Sequence, residues 1–274
     1  MFWRIALIVL LAAAFAAFLL WNERVGEEPP VNDGVPGTAP VVEPLHPLPP
    51  PPEPAPRRQP PEEQLYVEPE PEPDPASDPL PLLEDSDAYL LEILNERFGE
   101  EQVAQWVVRE RLAERLVVFV DSLDRLPVPV EMRPIVPVPG RPFIDTENSE
   151  TRWSERNFRR YRPLIDMLES IGPSEAASLY IRHYPLLQEA HSALATETAY
   201  FNDRLVEVID HLLESEDAPR PDFIIEPHEA VYRLADEDLE KAATGKKIMW
   251  RLGPDHADEV REWLGQFRRE ITRH

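Results

Sequence analysis

Residues 200–213 read YFNDRLVEVIDHLL. On a helical wheel of ~100° per residue counted from Asn202, Asp210, Asp203, Glu214 and Glu207 fall between ~80° and ~140°, with His211 and Arg204 at ~180° and ~200°. Leu205, Val206, Val208, Ile209, Leu212 and Leu213 fill the opposite arc. One apolar and one polar face predict an amphipathic helix packed in a helical body. Asn202 is expected to cap it, Phe201 and Val206 to form a hydrophobic staple, and Asp203 to favour the positive helix end. A carboxylate tuned by burial for catalysis belongs inside or at the margin of the apolar arc, and these mostly do not. The polar face is therefore expected to meet water. Tyr200, Phe201, Asn202, Asp203, Glu207 and His211 form the candidate binding set, with no catalytic residue, metal or cofactor assigned.

The same 3.6-residue logic runs outward through residues 83–274. Asp87 to Phe98 is periodic and Gly99 stops it; Gln102 to Val108 is short; Leu112, Leu116, Phe119, Val120 and Leu123 form one stripe. Ser154 caps the next helical stretch, Pro163 restarts it and Gly172 ends it, while Pro185 is expected to interrupt the one that follows. Phe223 to Glu226 reads as a short extended segment, and DEDLEKAATGKKIMWRLGP as a helix ending at Gly253 and Pro254. Ala257, Val260, Leu264, Phe267 and Ile271 line the last helix. Six prolines between Pro127 and Pro142 make a long loop, anchored through Val128, Val130, Ile135, Val136 and Phe143 and holding a short strand or two. The expected fold class is all-α, about seven helices with one long Pro-rich loop.

Upstream the chain changes character. Residues 5–21 are unbroken apolar sequence, and Trp3 and Trp21 would stand ~27 Å apart on a helix, near the thickness of a bilayer core. Residues 1–22 are expected to be a single transmembrane anchor. A cleaved signal peptide ending near Ala14 to Ala16 is the alternative, disfavoured because Phe18, Leu19, Leu20 and Trp21 prolong the apolar run. One arginine flanks each side, Arg4 and Arg24, and the α-amino group tips the balance toward a cytoplasmic N-terminus. The expected address is the inner membrane, single-pass, with the body periplasmic. Residues 23–82 follow as a disordered Pro/Glu-rich spacer. Twenty of the chain's 33 prolines lie between Pro29 and Pro81, and 16 acidic residues against three arginines from Asn22 to Asp87 leave a net of -13. Proline supplies no amide donor and like charges repel, so this zone is expected to be extended. A ligand for an aromatic-lined groove is the weaker reading of PLPPPPEP.

Most chemistry can be excluded by inspection. The chain has no cysteine, no G-x-S-x-G and no S-x-x-K; ATGKK lacks the upstream glycine and following hydroxyl of a phosphate loop; HEAVY places Tyr232 where a zincin needs its second histidine. His183 and His191 read as helix-packing imidazoles. Residues 88–274 carry 24 basic against 36 acidic side chains, a net of -12, so no nucleic-acid partner is expected. The basic stretch RNFRRYR at Arg156 to Arg162 is expected to pair with neighbouring acidic helices.

RNFRRYRPLIDMLE, HYPLLQEAH, AYFNDRLVEVIDHLLE and VYRLADEDLEKAATGKKIMWRLGP together resemble the bacterial family catalogued as domain of unknown function 3014, over roughly Leu82 to Ile271. The anchor and spacer are similar to that family's usual layout. The resemblance implies a Gram-negative envelope protein with a helical body and assigns no activity. Two readings stand. One is a membrane-anchored, non-enzymatic periplasmic binding module with an envelope-protein or cell-wall partner; the alternative is a tethered metal-dependent hydrolase with its site near Asp203, Glu207 and His211.

Overall fold

A computed structural model describes residues 44–48, 79–125, 127–148, 150–194, 198–215, 224–228 and 231–273. The expected anchor and most of the spacer lie outside these residues. Among the described residues no helix is long and apolar enough to cross a membrane.

The body opens with α1 (Ser86–Phe98) and α2 (Glu100–Trp106), separated by Gly99 at φ 86°, a conformation that needs a residue without Cβ. Next comes α3 (Leu112–Ser122), and all five residues of its expected stripe are buried. Its first turn is capped from outside: Asp87 of α1 accepts the amides of Arg111 and Leu112 at 2.7 and 2.8 Å. That grip holds Arg111 in the left-handed region, at φ 54°.

The proline-rich loop is tied down much as expected. Ile135 bridges to Val107, Val136 donates to the Trp106 carbonyl at 2.9 Å, and Val128 and Ile135 are buried. Val130 and Phe143, expected anchors, are instead 42% and 39% exposed.

The mostly helical expectation holds, with more helices and more strand than the sequence reading counted. Among the described residues the body has nine α-helices, and it also carries a four-stranded antiparallel sheet in the order β1-β2-β3-β4. The strands are β1 (Ile144–Glu147), β2 (Glu150–Trp153), β3 (Ile224–His228) and β4 (Val231–Leu234). Asn148 turns the first hairpin at φ 50°, and Thr151 and Arg152 pair with Ile225 and Ile224. Between β2 and β3 lie a 3-10 turn (Glu155–Arg160) capped by Ser154, then α4 (Arg162–Glu169), α5 (Pro173–Ser192) and α6 (Phe201–Leu213).

Two more boundaries differ from the sequence reading. Pro185 does not interrupt α5, because Tyr180, His183, Leu186 and Leu187 on either side of it are buried, and that packing outweighs a helix proline's cost of ~3 kcal/mol. The segment expected as one helix divides into α7 (Glu237–Glu240) and α8 (Thr244–Leu252). The chain then closes with α9 (Pro254–Ile271), whose predicted stripe is entirely buried.

Helix α5 packs on α3 and α9, and α6 contacts the same two helices, so these four enclose the main core. A smaller cluster of Leu234, Trp250, Trp153 and Tyr232 seats the sheet on α8. Where α8 begins, the backbones come very close: the Gly245 amide donates to the Leu123 carbonyl at 2.6 Å. A Cβ on Gly245 would overlap Leu212 Cδ2 and stand 3.0 Å from that carbonyl oxygen. Gly245→Ala is therefore expected to cost about 1–3 kcal/mol, read as a lower urea midpoint at unchanged slope.

Candidate functional site

Helix α5 builds the entry to α6. Tyr180, Tyr184, Gln188 and His191 recur at helical spacing and reach residues 198–202. The Gln188 side chain does what Asn202 was expected to do: its Oε1 accepts the Phe201 amide at 2.9 Å while its Nε2 donates to the Ala199 carbonyl at 2.9 Å. Tyr184 donates to the same Oε1 at 2.6 Å, and the His191 Nε2 pairs with the Thr198 carbonyl at 2.9 Å. The N-cap residue is Tyr200, in extended geometry, without a side-chain cap of its own. Phe201 is buried against the rings of Tyr180 and His191.

Freed from capping, Asn202 and Asp203 hold a distant part of the chain. Tyr180 donates to Asn202 Oδ1 at 2.9 Å in a buried contact, which fixes the amide so that Nδ2 faces outward and donates to the His46 carbonyl at 2.6 Å. The Asp203 carboxylate accepts the Leu45 amide at 3.0 Å and the His46 amide at 2.6 Å. Residues 44–48, drawn from the zone expected to be spacer, thus lie on the α6 entry, with Leu48 packed against the main core. Burial pushes the Tyr184 phenol up to about 12, partly offset by a hydrogen bond from the Asn202 main-chain N–H, and lifts that of Tyr180 well above its ordinary value. Both phenols stay protonated, as donors must.

The polar face of α6 is only partly open to water, which corrects the sequence reading at Arg204. Arg204 is fully buried. Its Nε reaches Asp121 Oδ1 at 2.7 Å, one terminal nitrogen reaches Asp124 at 2.9 Å and Glu207 at 2.8 Å, and the other the Asp121 carbonyl at 2.7 Å and Asp124 again. Asp210 pairs with Arg268 of α9 at 2.7 Å. Glu207, and Glu214 just past the helix end, are exposed, while Asp203, Asp210 and His211 are half-buried. At Asp124, burial acts to raise the carboxyl, but the hydrogen bond and charge of Arg204 prevail and hold it below its ordinary value.

Of the candidate set, the structure brings Asn202 and Asp203 together on one ligand-like segment, with Tyr200 and Phe201 shaping the entry. Glu207 turns to Arg204, and half-buried His211 lies eight residues, about 12 Å of helix, beyond Asp203. Among the described residues no group of three or more His, Asp or Glu gathers as metal ligands would. The spacing of Tyr180, Tyr184 and Gln188 was the only sequence signal for the supporting residues. No local signal pairs residue 46 with residue 203.

The other candidates are structural. His183 Nδ1 pairs with the Leu179 carbonyl at 2.9 Å and its Nε2 with the Tyr89 hydroxyl at 3.0 Å. In the basic stretch, Arg156 lies 4.0 Å over the Phe143 ring, Arg160 donates to the Val138, Pro139 and Gly140 carbonyls, and Arg162 pairs with Asp166, Glu169 and Glu259.

A family model described as protein of unknown function (DUF3014) matches residues 112–268, more than half of the chain, and the chain belongs to that family. The match covers α3 to α9, including Asn202, Asp203 and Arg204, but not residues 44–48. No curated protein and no solved structure matches the chain.

Two outcomes follow from these contacts. Arg204→Met is expected to lower stability by about 3–5 kcal/mol in urea titrations, because it leaves Asp121 and Asp124 with only the half-exposed Arg125, 3.8 and 3.7 Å away, as a cation. His183 titrates at about 4 in the fold, chiefly through burial, against 6.5 when free. Its contribution is complete above pH 6.5 and is lost as pH falls toward 4, so the melting temperature should drop across that window and drop less in His183→Leu.

Proposed function

We propose that the protein is a membrane-anchored, non-enzymatic interaction module. Its helical body is held on the periplasmic side of the inner membrane by the span at residues 5–21 and the acidic proline-rich spacer, and the entry of α6 is where it binds. One observation carries the reading: Asn202 and Asp203 direct three hydrogen bonds at the main chain of a segment more than 150 residues away in sequence. Here Asn202 donates one bond and Asp203 accepts two, the complement of the peptide's own groups. The α5 residues behind them supply preorganisation, since Tyr180 sets the Asn202 amide before any ligand arrives.

The metal-dependent hydrolase reading has less support. Both Asp203 oxygens are occupied by amides, and Glu207 serves Arg204. The acidic surface agrees with an envelope protein or wall component as partner rather than a nucleic acid.

A phosphatase reporter that works only outside the cytoplasm, fused at the C-terminus, is expected to be active, and a reporter active only in the cytoplasm silent; the reverse pattern refutes the topology. A photo-crosslinker at Tyr200 should join the full-length protein to an envelope component in cells. That adduct should vanish with Asp203→Ala and persist with His211→Ala, whereas an adduct indifferent to Asp203 removes the α6 entry from the binding site.

A further inference from the structure

We infer that Asn202 and Asp203 form a site for a bent peptide bounded by prolines, and that Pro44–Leu48 of the same chain is its resident, displaceable occupant. This rests on the binding-module reading and names its ligand class. All three bonds go to main-chain atoms of Leu45 and His46. The Leu45 side chain is 80% exposed, so residue identity there contributes little.

What the site reads is shape and donor spacing. In an extended strand successive amides point to opposite sides. Here the chain bends at Leu45 and His46, turning two consecutive amides toward one carboxylate. Proline has no amide hydrogen, so Pro44 and Pro47 bracket those donors with residues that offer none. Between residues 22 and 82, Pro44 to Pro47 is the one place where exactly two residues, both other than proline, separate two prolines. The segment seated on the site is therefore the one whose donors match it. A partner's proline-bounded pair of amides presents the same chemistry.

Covalent attachment places Pro44–Leu48 at an effective concentration on the order of millimolar, so even a weak self-ligand keeps the site filled. A partner has to displace it. In the anchored protein, displacement also changes reach: with residues 44–48 seated, about 22 residues link the span to the body, a contour of at most ~80 Å, against ~200 Å for the whole spacer.

The test uses the full-length protein in detergent or nanodiscs and a fluorescent peptide of residues 40–50, followed by anisotropy. Leu45→Pro with His46→Pro removes both amide donors from the resident segment and vacates the site. The peptide is expected to bind this double variant at least tenfold more tightly than the unsubstituted protein. Adding Asp203→Ala or Asp203→Asn should abolish binding, and circular dichroism and melting identify any variant that fails to fold. The same peptide with proline at positions 45 and 46 should not bind. Equal affinity for both proteins, no binding to the double variant, or binding that survives both Asp203 substitutions overturns the inference. So does a dimer that dissociates in the double variant, because the occupant then belongs to a second copy. None of these readouts depends on topology or on a cellular partner, so the proposed function can fail or hold separately.

Discussion

The buried guanidinium of Arg204 is the contact on which the arrangement of helices turns. A cation without solvent is tolerated only when its donors are matched, and here Asp121, Asp124, Glu207 and the Asp121 carbonyl match them. Three of those acceptor groups lie at the C-terminal end of α3, where unpaired carbonyls and the negative end of the helix dipole welcome a cation. The pairing fixes α6 against α3 in both register and rotation. With that rotation set, Leu212 and Leu123 stand where Gly245 must pass them, and Asn202 and Asp203 emerge on the face that meets Pro44–Leu48.

The fold uses one carboxylate device twice. Asp87 of α1 takes two consecutive amides at the start of α3, and Asp203 of α6 takes the two consecutive amides of Leu45 and His46. In the first case the donors are the orphan amides of a helix start and the bond is purely structural. In the second the donors belong to a segment with no regular structure of its own, of which Leu48 packs against the main core and Leu45 is largely exposed. The chemistry is alike; what differs is how much packing stands behind it.

Helix faces were legible wherever packing followed the 3.6-residue period. The stripes of α3 and α9 are buried residue for residue as their spacing requires. The strands were legible in part, since a short strand or two after the prolines and an extended segment at Phe223 to Glu226 were expected, but their pairing into one sheet was not, because each strand has four or five residues, β1 is exposed along its whole length, and the β2–β3 pairing spans some seventy residues. At α6 the wheel correctly separated polar from apolar residues but assigned the polar arc to water. A wheel counts one helix's residues and is blind to Asp121, Asp124, Arg268 and His46, which arrive from other elements to cover part of that arc. The Asn202 cap failed for the same reason: Gln188, thirteen residues earlier than Phe201, was already in place.

By itself the sequence determined the composition boundary between the proline-rich segment and the body, the helical character of the body, the family to which it belongs, and the exclusion of cysteine, phosphate-loop and zincin chemistry. These follow from local properties: proline's missing amide, periodic apolar spacing, the presence or absence of a residue type. Tertiary structure alone decided that a cation lies buried beneath α6, that Asn202 and Asp203 hold peptide rather than cap a helix, and that Pro44–Leu48 is the peptide they hold. Each of those is a hydrogen-bond pairing between residues about 80 to 160 positions apart, and such pairings exist only once the chain has closed on itself.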